Sequence, residues 1–233
     1  MGKYPKISYK IFHNERLKQT DFHGRNMHPL YVRLIYARQP TDFKCYYFDF
    51  FAQEKFALEV AGQKTVPSMQ VVEAMEKSLL DFIIERHKPE FSIESLHIWY
   101  HYYARDLLTL LEDDFYKYLY TFFHDEGVPV FASLCKSAIG RKHAGLLMRD
   151  MKQLLKPSLY KKLVENAAHY APPYLPFYTF ASKIAGSLTP VMSVKDWYMT
   201  SVQETFRKYL ESDGSGYRGD DVFKYVNKII GGN

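Results

Sequence analysis

The sequence predicts an α+β fold, in which a small three-stranded antiparallel sheet at the N-terminus is followed by a predominantly helical body. Two segments within the first fifty residues alternate between apolar and polar side chains, and after Pro67 the apolar residues recur with the period of a helix. The composition is 47% apolar and 24% charged over 233 residues, which is typical of globular proteins. These values exclude a disordered chain and a collagen-like fibre.

Residues 6–12 and 30–37 have the alternation of half-buried strands. The polar residues 14–27 predict a long loop, and residues 38–40, which end in a proline, predict a turn. Residues 41–51 are rich in aromatic side chains and predict a third strand. Three strands joined in this way indicate an antiparallel meander, which is expected to need a helix packed on one face for stability.

Pro67 is predicted as the first residue of a helix that ends near Lys88. A second helix is expected to begin after Ser92, which suits an N-cap, and to continue to about Phe122. Residues 171–176 contain three prolines and predict an extended linker. Further helices are predicted at 131–137, 142–155, 158–168, 177–187, 194–211 and 221–230. The predicted domains are a sheet domain over 1–62, a helical domain over 63–171 and a C-terminal helical segment over 177–233.

The net charge of +5 is distributed unevenly along the chain. Counting Lys and Arg against Asp and Glu, residues 1–44 carry +6 (nine against three) and residues 45–135 carry −8 (seven against fifteen). Residues 136–162 carry +7 (eight against one), and residues 163–233 balance at seven each. The acidic and basic segments therefore either face each other in the folded protein or leave basic surfaces for an anionic partner.

The N-terminal segment combines several features in a fixed order. A strand at residues 7–12 (ISYKIF) is followed by a polar insertion, a second strand at 29–36 (PLYVRLIY), a tight turn and residues 41–44 (TDFK). The polar insertion contains Arg16, Lys18, Gly24 and Arg25. This pattern, which covers about a fifth of the chain, resembles the N-terminal arm-type DNA-binding domain of tyrosine recombinases from Bacteroidetes mobile elements. In that family a small three-stranded sheet lays one face on DNA, so the resemblance implies duplex DNA as the partner.

The chain departs from this recombinase family in its catalytic residues. The family uses a tyrosine nucleophile with two arginines and a histidine, usually within a His-x-x-Arg motif of a larger catalytic domain. The one His-x-x-Arg sequence in this chain, His13–Arg16, lies inside the N-terminal segment that resembles the arm domain. Leu146 stands three residues after His143, and Arg149 lies six positions on. We therefore expect a non-catalytic relative, or an arm-like module on an unrelated helical body, with no enzymatic activity and no cofactor.

The predicted DNA-binding residues form two sets. Lysine and arginine side chains neutralise phosphates and give salt-dependent affinity, while arginine also reads base edges. Alternative interpretations are cations that protect an edge strand from aggregation and the solvated face of a helix. The first set comprises Arg25, Arg33, Arg38 and Lys44, and the second, weaker set comprises Arg141, Lys142 and Arg149.

Two other classes of function remain open. The aromatic content of 17% is concentrated in helical segments and fits a protein-interaction module or a homo-oligomer. A metal enzyme with a helical-bundle centre is the third hypothesis, because Glu94, His97 and His101 share one helix face. Only one Glu-x-x-His pair is present, whereas a di-iron bundle needs two, so we expect no metal.

The location of the protein is predicted to be cytoplasmic. Cys45 and Cys135 are too few for a disulfide framework and suggest a reducing compartment. The first ten residues have no apolar region typical of a secretory signal, and no run of eighteen uncharged residues predicts a membrane-spanning helix.

Overall fold

A computed structural model describes residues 5–60, 63–213 and 216–231. It confirms the α+β class: an N-terminal three-stranded antiparallel sheet precedes a series of helices. Backbone contacts divide the chain into two compact units, Met1–Ala104 and Arg105–Asn233. The divisions predicted from the sequence lie near residue 62 and around residues 171–177. Within the described ranges, no helix has the length and apolar content needed to cross a membrane.

The main sheet of the first unit has the strand order β1 (Ile7–His13), β4 (Leu30–Tyr36), β5 (Gln39–Lys44). Both strand pairs are antiparallel, with Arg33 opposite Lys10 on one side and opposite Asp42 on the other. The predictions for β1 and β4 are confirmed. Alternation with a period of two is a local property of a half-buried strand, so the sequence alone is enough to predict it. Pro40 lies in β5, an edge strand, where a proline removes no interior ladder bond.

The segment predicted as a long loop contains a hairpin instead. Strands β2 (Thr20–Phe22) and β3 (Arg25–Met27) pair around a turn at His23 and Gly24, both of which have positive φ angles, 56° and 88°. Phe22 is buried and its ring centroid lies 5.4 Å from that of Phe48. The hairpin is therefore anchored by packing that the polar composition of this segment does not reveal.

The third predicted strand was wrong beyond Lys44. Strand β5 ends there, and helix α1 (Tyr46–Phe51) follows directly, with four of its six residues buried. Aromatic residues favour strands by propensity, but tertiary packing overrides this preference. A 3₁₀ turn at Glu54–Phe56 and a short hairpin of β6 (Leu58–Val60) and β7 (Gln63–Thr65) complete the connection to the helices.

Two helices cover the inner face of the main sheet: α2 (Met69–His87) and α3 (Ile93–Ala104). The hydroxyl of Tyr9 donates to Asp81 of α2 at 2.5 Å, and the ring of Phe43 lies 4.9 Å from that of Tyr100 of α3. Helix α2 begins after Ser68, whose side chain accepts a hydrogen bond from the Val71 N–H. Ser68 rather than Pro67 thus sets the start of the helix.

The long helix predicted from Ser92 to Phe122 is broken in two. Helix α3 ends at Ala104, and α4 (Leu107–Asp125) begins a new helix with Asp106 as its N-cap. One carboxylate oxygen of Asp106 accepts from the Thr109 N–H at 2.8 Å, and the other accepts from the Met192 N–H at 2.9 Å. Asp106 therefore fixes both the start of α4 and a later segment of the second unit.

The described residues of the second unit are mainly helical. The rings of Phe177 and Phe206 stack at 4.3 Å in its core, beside Trp197. Its helices after α4 are α5 (Pro129–Ala138), α6 (Ala144–Leu154), α7 (Pro157–Tyr170), α8 (Tyr174–Ala185), α9 (Val194–Trp197), α10 (Thr200–Asp213) and α11 (Gly219–Gly231).

The prediction of an extended linker over residues 171–176 was wrong at its C-terminal half. Helix α8 begins at Tyr174 and includes Pro176 in its first turn, and Pro172 and Pro173 are buried. Proline is tolerated in the first turn of a helix because those N–H groups have no partner within the helix. The three prolines thus mark a helix start rather than a solvated linker.

Helix α1 begins without a side-chain hydrogen bond from its own N-cap residue, Cys45. The Tyr46 N–H donates to the hydroxyl of Tyr100 at 2.7 Å, and the Tyr47 N–H donates to Glu76 at 3.4 Å. The Tyr100 hydroxyl in turn donates to Glu76. A buried glutamate and tyrosine from α2 and α3 thereby satisfy N–H groups that would otherwise be unpaired.

Helix α6 of the second unit begins with the same two kinds of partner, in the opposite order along the helix. The Ala144 N–H donates to Glu112 of α4 at 2.9 Å, the Gly145 N–H donates to the hydroxyl of Tyr174 at 3.2 Å, and that hydroxyl donates to Glu112 at 2.8 Å. We call these two arrangements the remote Glu–Tyr caps. Each holds a helix start by side chains that lie far from it in the sequence.

Candidate nucleic-acid interface

One face of the main sheet is turned away from α2 and α3, and we call it the outer sheet face. In β4 the buried Leu30, Val32 and Leu34 alternate with Tyr31, Arg33 and Ile35, which are half-buried or exposed. The strand register then arranges the outer face in three rows across β1, β4 and β5. The rows are Phe12, Tyr31 and Lys44; Lys10, Arg33 and Asp42; and Ser8, Ile35 and Pro40.

Arg33, a residue of the first predicted set, occupies the centre of this face. Its Nε lies 2.7 Å from one carboxylate oxygen of Asp42 and its Nη2 lies 2.5 Å from the other, a bidentate pair between neighbouring strands. Both side chains are about two-fifths exposed, at 42% and 38%. The hydrogen bond from Arg33 holds the pKa of Asp42 below its usual range, and Lys10 and Arg16 add to this effect. Arg33 therefore lies at the surface with its charge balanced by a carboxylate.

Lys44 also lies on the outer sheet face and is also paired. Its Nζ is 2.7 Å from Asp49, a residue of α1. This partner was not expected, because the residues of α1 were predicted as part of a strand. The pair is solvent-exposed, with side-chain exposures of 37% and 58%, so water and salt compete with it strongly.

Lys10 was not among the predicted site residues, although it belongs to this face. Its Nζ lies 5.4 Å from the ring centroid of Phe12, and the guanidinium carbon of Arg33 lies 5.5 Å from the same ring. The centroid of the Tyr31 ring is 6.5 Å from that of Phe12. Two adjacent aromatic rings are thus flanked by cations. The alternation of side chains along β1 is the signal for this position, because it places Lys10 on the face opposite to Tyr9.

Arg38 lies at the end of the hairpin formed by β4 and β5. It forms a two-residue turn with Ala37, and both residues have positive φ angles, 68° and 50°. Such a turn matches the twist of the strands but favours glycine and asparagine. Arg38 is exposed. Arg25 is exposed as well, on β3 of the separate hairpin, so three of the four first-set residues share the main sheet.

The second predicted set lies in the second unit and does not form one helix face. Helix α6 begins at Ala144, so Arg141 and Lys142 precede it and only Arg149 lies on it. Lys142 is paired with Asp150, and its carbonyl accepts from the hydroxyl of Tyr116 at 2.7 Å. The helix predicted over residues 142–155 begins two residues later than expected, because residues 142 and 143 form the approach to a remotely capped helix start.

The candidate metal ligands do not converge. Glu94, His97 and His101 lie on α3, but the ring of His97 packs edge-on against Phe43 at 5.4 Å and that of His101 packs against Tyr100 at 5.5 Å. Across the described part of the chain, no group of three or more His, Cys, Asp or Glu side chains is arranged to hold a metal ion. The metal-enzyme hypothesis therefore has no site among these residues.

Buried ionisable groups elsewhere have structural roles. Burial raises the pKa of Glu76 to about 7, opposed by the hydrogen bonds from Tyr100, Tyr47 and Tyr46. Raised carboxyl pKa values often mark catalytic acids, but the hydrogen bonds of Glu76 go to the start of α1 and its side chain has no solvent access. Burial also raises the pKa of Cys45, and that of Cys135 to about 12, so neither thiol is activated as a nucleophile.

A comparison with protein-family models, curated proteins and solved structures finds no match to the chain.

Proposed function

We propose that the protein binds duplex DNA through the outer sheet face and acts as a non-catalytic accessory protein of a bacterial mobile element. The observation that carries this proposal is the grouping of Lys10, Arg33 and Lys44 around Phe12 and Tyr31 on a single sheet face. The inner face of the same sheet is occupied by α2 and α3, which leaves the outer face as the surface available to a partner.

The chemistry of this face suits a DNA backbone. Lysine and arginine side chains that neutralise phosphates release counterions, and this release drives binding. Arg33 already presents its guanidinium in the bidentate geometry by which arginine also binds phosphate or the O6 and N7 atoms of guanine. Binding requires Arg33 to exchange Asp42 for one of these groups, and the exposure of the pair allows the exchange without opening the core.

The biological setting rests on the resemblance to recombinase arm domains, together with the position of the one His-x-x-Arg sequence, His13–Arg16, inside the arm-like segment and not in a larger catalytic domain. The two unpaired cysteines, both buried, support a cytoplasmic location within this proposal.

The test is a titration of fluorescently labelled duplex DNA with the full chain over a series of salt concentrations. We expect the logarithm of the binding constant to fall linearly with the logarithm of salt, by about 0.9 for each phosphate neutralised. The variants Lys10→Gln and Lys44→Gln are each expected to reduce this slope by about 1. Lys77→Gln is the matched control, because Lys77 is an exposed lysine on α2. Absence of binding at about 50 mM salt, or an affinity that salt does not change, would contradict the proposal.

A protein-binding role for the same face is the second candidate, because Ile35 is 41% exposed and lies opposite Pro40. Stable oligomers in light scattering that are dispersed by Ile35→Lys, together with no affinity for DNA, would favour it.

A further inference from the structure

The second unit contains a cleft of about 530 Å³ bounded by α6, α8 and the segment that follows α8. Three cationic residues line it: Arg149 and Lys152 from α6, and Lys183 from α8. Among the described residues, no Asp or Glu lines the cleft. A concave site of this volume is in the range of small-molecule sites in proteins.

The two cations of α6 that line the cleft have no carboxylate partner among the described residues. Arg149 and Lys152 are exposed, one helical turn apart, and neither forms an ion pair or hydrogen bond with the part of the chain that the structure describes. By contrast, Lys142 is paired with Asp150, and Lys162 is paired with Glu126 at 2.5 Å. The Nζ of Lys183 lies 4.7 Å from the ring centroid of Tyr209, so it is held by an aromatic face rather than by a carboxylate.

The walls of the cleft are aromatic and apolar. The ring of Tyr178 lies against Gly145, and its hydroxyl donates to the carbonyl of Leu188 at 2.7 Å, which fixes the ring at both ends. Tyr160 of α7 and Leu175 of α8 add further apolar surface. The cleft therefore places positive charge beside a rigid aromatic surface.

We propose that this cleft binds an organic phosphate, and specifically a nucleoside phosphate. Arg149 and Lys152 bind the phosphate, and the base lies against Tyr178 and Tyr160. The cleft suits both the phosphate and the base of such a ligand. Guanidinium groups bind phosphate in a bidentate manner, and planar rings stack on aromatic side chains. This site is separate from the proposed DNA-binding face, since it lies in the other unit and takes a small ligand.

The experiment is isothermal titration of the full chain with adenosine 5′-monophosphate, adenosine and inorganic phosphate as separate probes. We expect the monophosphate to bind at least about tenfold more tightly than either adenosine or phosphate alone, because only it engages both parts of the cleft; each tenfold is about 1.4 kcal/mol. The double variant Arg149→Gln/Lys152→Gln is expected to weaken monophosphate binding by about tenfold or more. The control Lys136→Gln/Lys156→Gln removes the same charge from exposed positions that do not line the cleft, and it is expected to bind as the parent does.

Several outcomes would overturn the proposal: no monophosphate binding at millimolar concentration, equal affinity for adenosine, or unchanged affinity in the double variant. Circular dichroism of each variant establishes that it is folded. If the double variant loses affinity for DNA but keeps its affinity for the monophosphate, these cations belong to a DNA surface and the cleft proposal is wrong. Failure of DNA binding by the outer sheet face leaves this result unaffected, because the two assays use different ligands and variants.

Discussion

The ring of Tyr178 lies so close to the α-carbon of Gly145 that a β-carbon at residue 145 would stand 2.3 Å from ring carbons of Tyr178. Gly145 is the second residue of α6, and its N–H is held by the hydroxyl of Tyr174. Hydrogen bonds to Tyr174 and Leu188 hold the start of α6 and the ring of Tyr178 in place, so the two cannot move away from each other. Glycine is required here for space and not for backbone conformation.

We therefore expect Gly145→Ala to lower the free energy of unfolding by about 1–3 kcal/mol through overpacking. Urea denaturation of the single variants and of Gly145→Ala/Tyr178→Ala measures the coupling between the two positions. The double variant is expected to be more stable than the sum of the single effects predicts. Gly219→Ala is the control, because a β-carbon there meets no atom within 4 Å. Strict additivity of the two changes would contradict the close contact.

Glu76→Gln is expected to change how stability depends on pH. Burial raises the folded-state pKa of Glu76 to about 7 from an ordinary value of 4.5. The folded protein therefore binds more protons than the unfolded chain between these values, so its stability falls as pH rises through this window. The full effect is on the order of 3 kcal/mol, at about 1.4 kcal/mol for each pKa unit. Denaturation curves from pH 4.5 to 8 are expected to show this decrease in the parent protein and not in Glu76→Gln. Parallel curves for the two proteins would rule out a titrating Glu76.

Tyr100→Phe is expected to destabilise the first unit by about 1–3 kcal/mol, because it removes a buried hydroxyl that accepts from the Tyr46 N–H and donates to Glu76. Tyr174→Phe removes the corresponding hydroxyl in the second unit, and we expect a loss of similar size. Thermal or chemical denaturation measures both. Tyr120→Phe serves as the control, since Tyr120 is 43% exposed, and it is expected to change little. A neutral effect of Tyr100→Phe would show that water replaces the hydroxyl.

Asp42→Asn is expected to increase the affinity for duplex DNA by about threefold or more at low salt. The substitution removes a negative charge from the outer sheet face and frees Arg33 from its bidentate partner. The same DNA titration measures the change, and the gain is expected to shrink as salt increases. Glu85→Gln removes an equivalent charge from an exposed position on α2 and is expected to leave the affinity near that of the parent. A lower affinity in Asp42→Asn would mean that Asp42 orients Arg33 for binding.

The turn at Ala37 and Arg38 offers a test that separates stability from binding. Both residues have positive φ angles, which costs a non-glycine residue about 1 kcal/mol. Arg38→Gly is expected to stabilise the protein by up to that amount while it weakens DNA binding through the loss of a cation. Ala37→Gly is the matched variant, expected to stabilise the turn without changing DNA affinity. Equal DNA affinities for the two variants would remove Arg38 from the interface.

The parts of the fold that the sequence predicted depend on local patterns. Alternation identified β1 and β4, the strand that carries Arg33. The start of α4 also has a local signal, because Asp106 directly precedes the apolar Leu107 and Leu108, as an N-cap residue does.

The parts that the sequence did not predict depend on distant residues. Helix α1 forms within a run of strand-favouring aromatic residues, and its start is completed by Glu76 and Tyr100. The ion pair of Lys44 with Asp49 depends on that same helix. Likewise, Arg149 was predicted as a DNA-binding residue, but the cleft that it lines could not be predicted. That cleft also needs Lys183 and Leu188, which lie more than thirty residues later in the chain.

The remote Glu–Tyr cap of α1 has a consequence for the order in which the first unit folds. The six residues of α1 are too few to form a stable helix alone, because nucleation is costly. Its first N–H groups find their partners 54 and 29 residues later in the chain. During synthesis, the start of α1 therefore remains incomplete until Tyr100 has left the ribosome, and the aromatic run stays exposed for that time. Folding of this unit is expected to be a late, cooperative event in which α1 docks after α2 and α3.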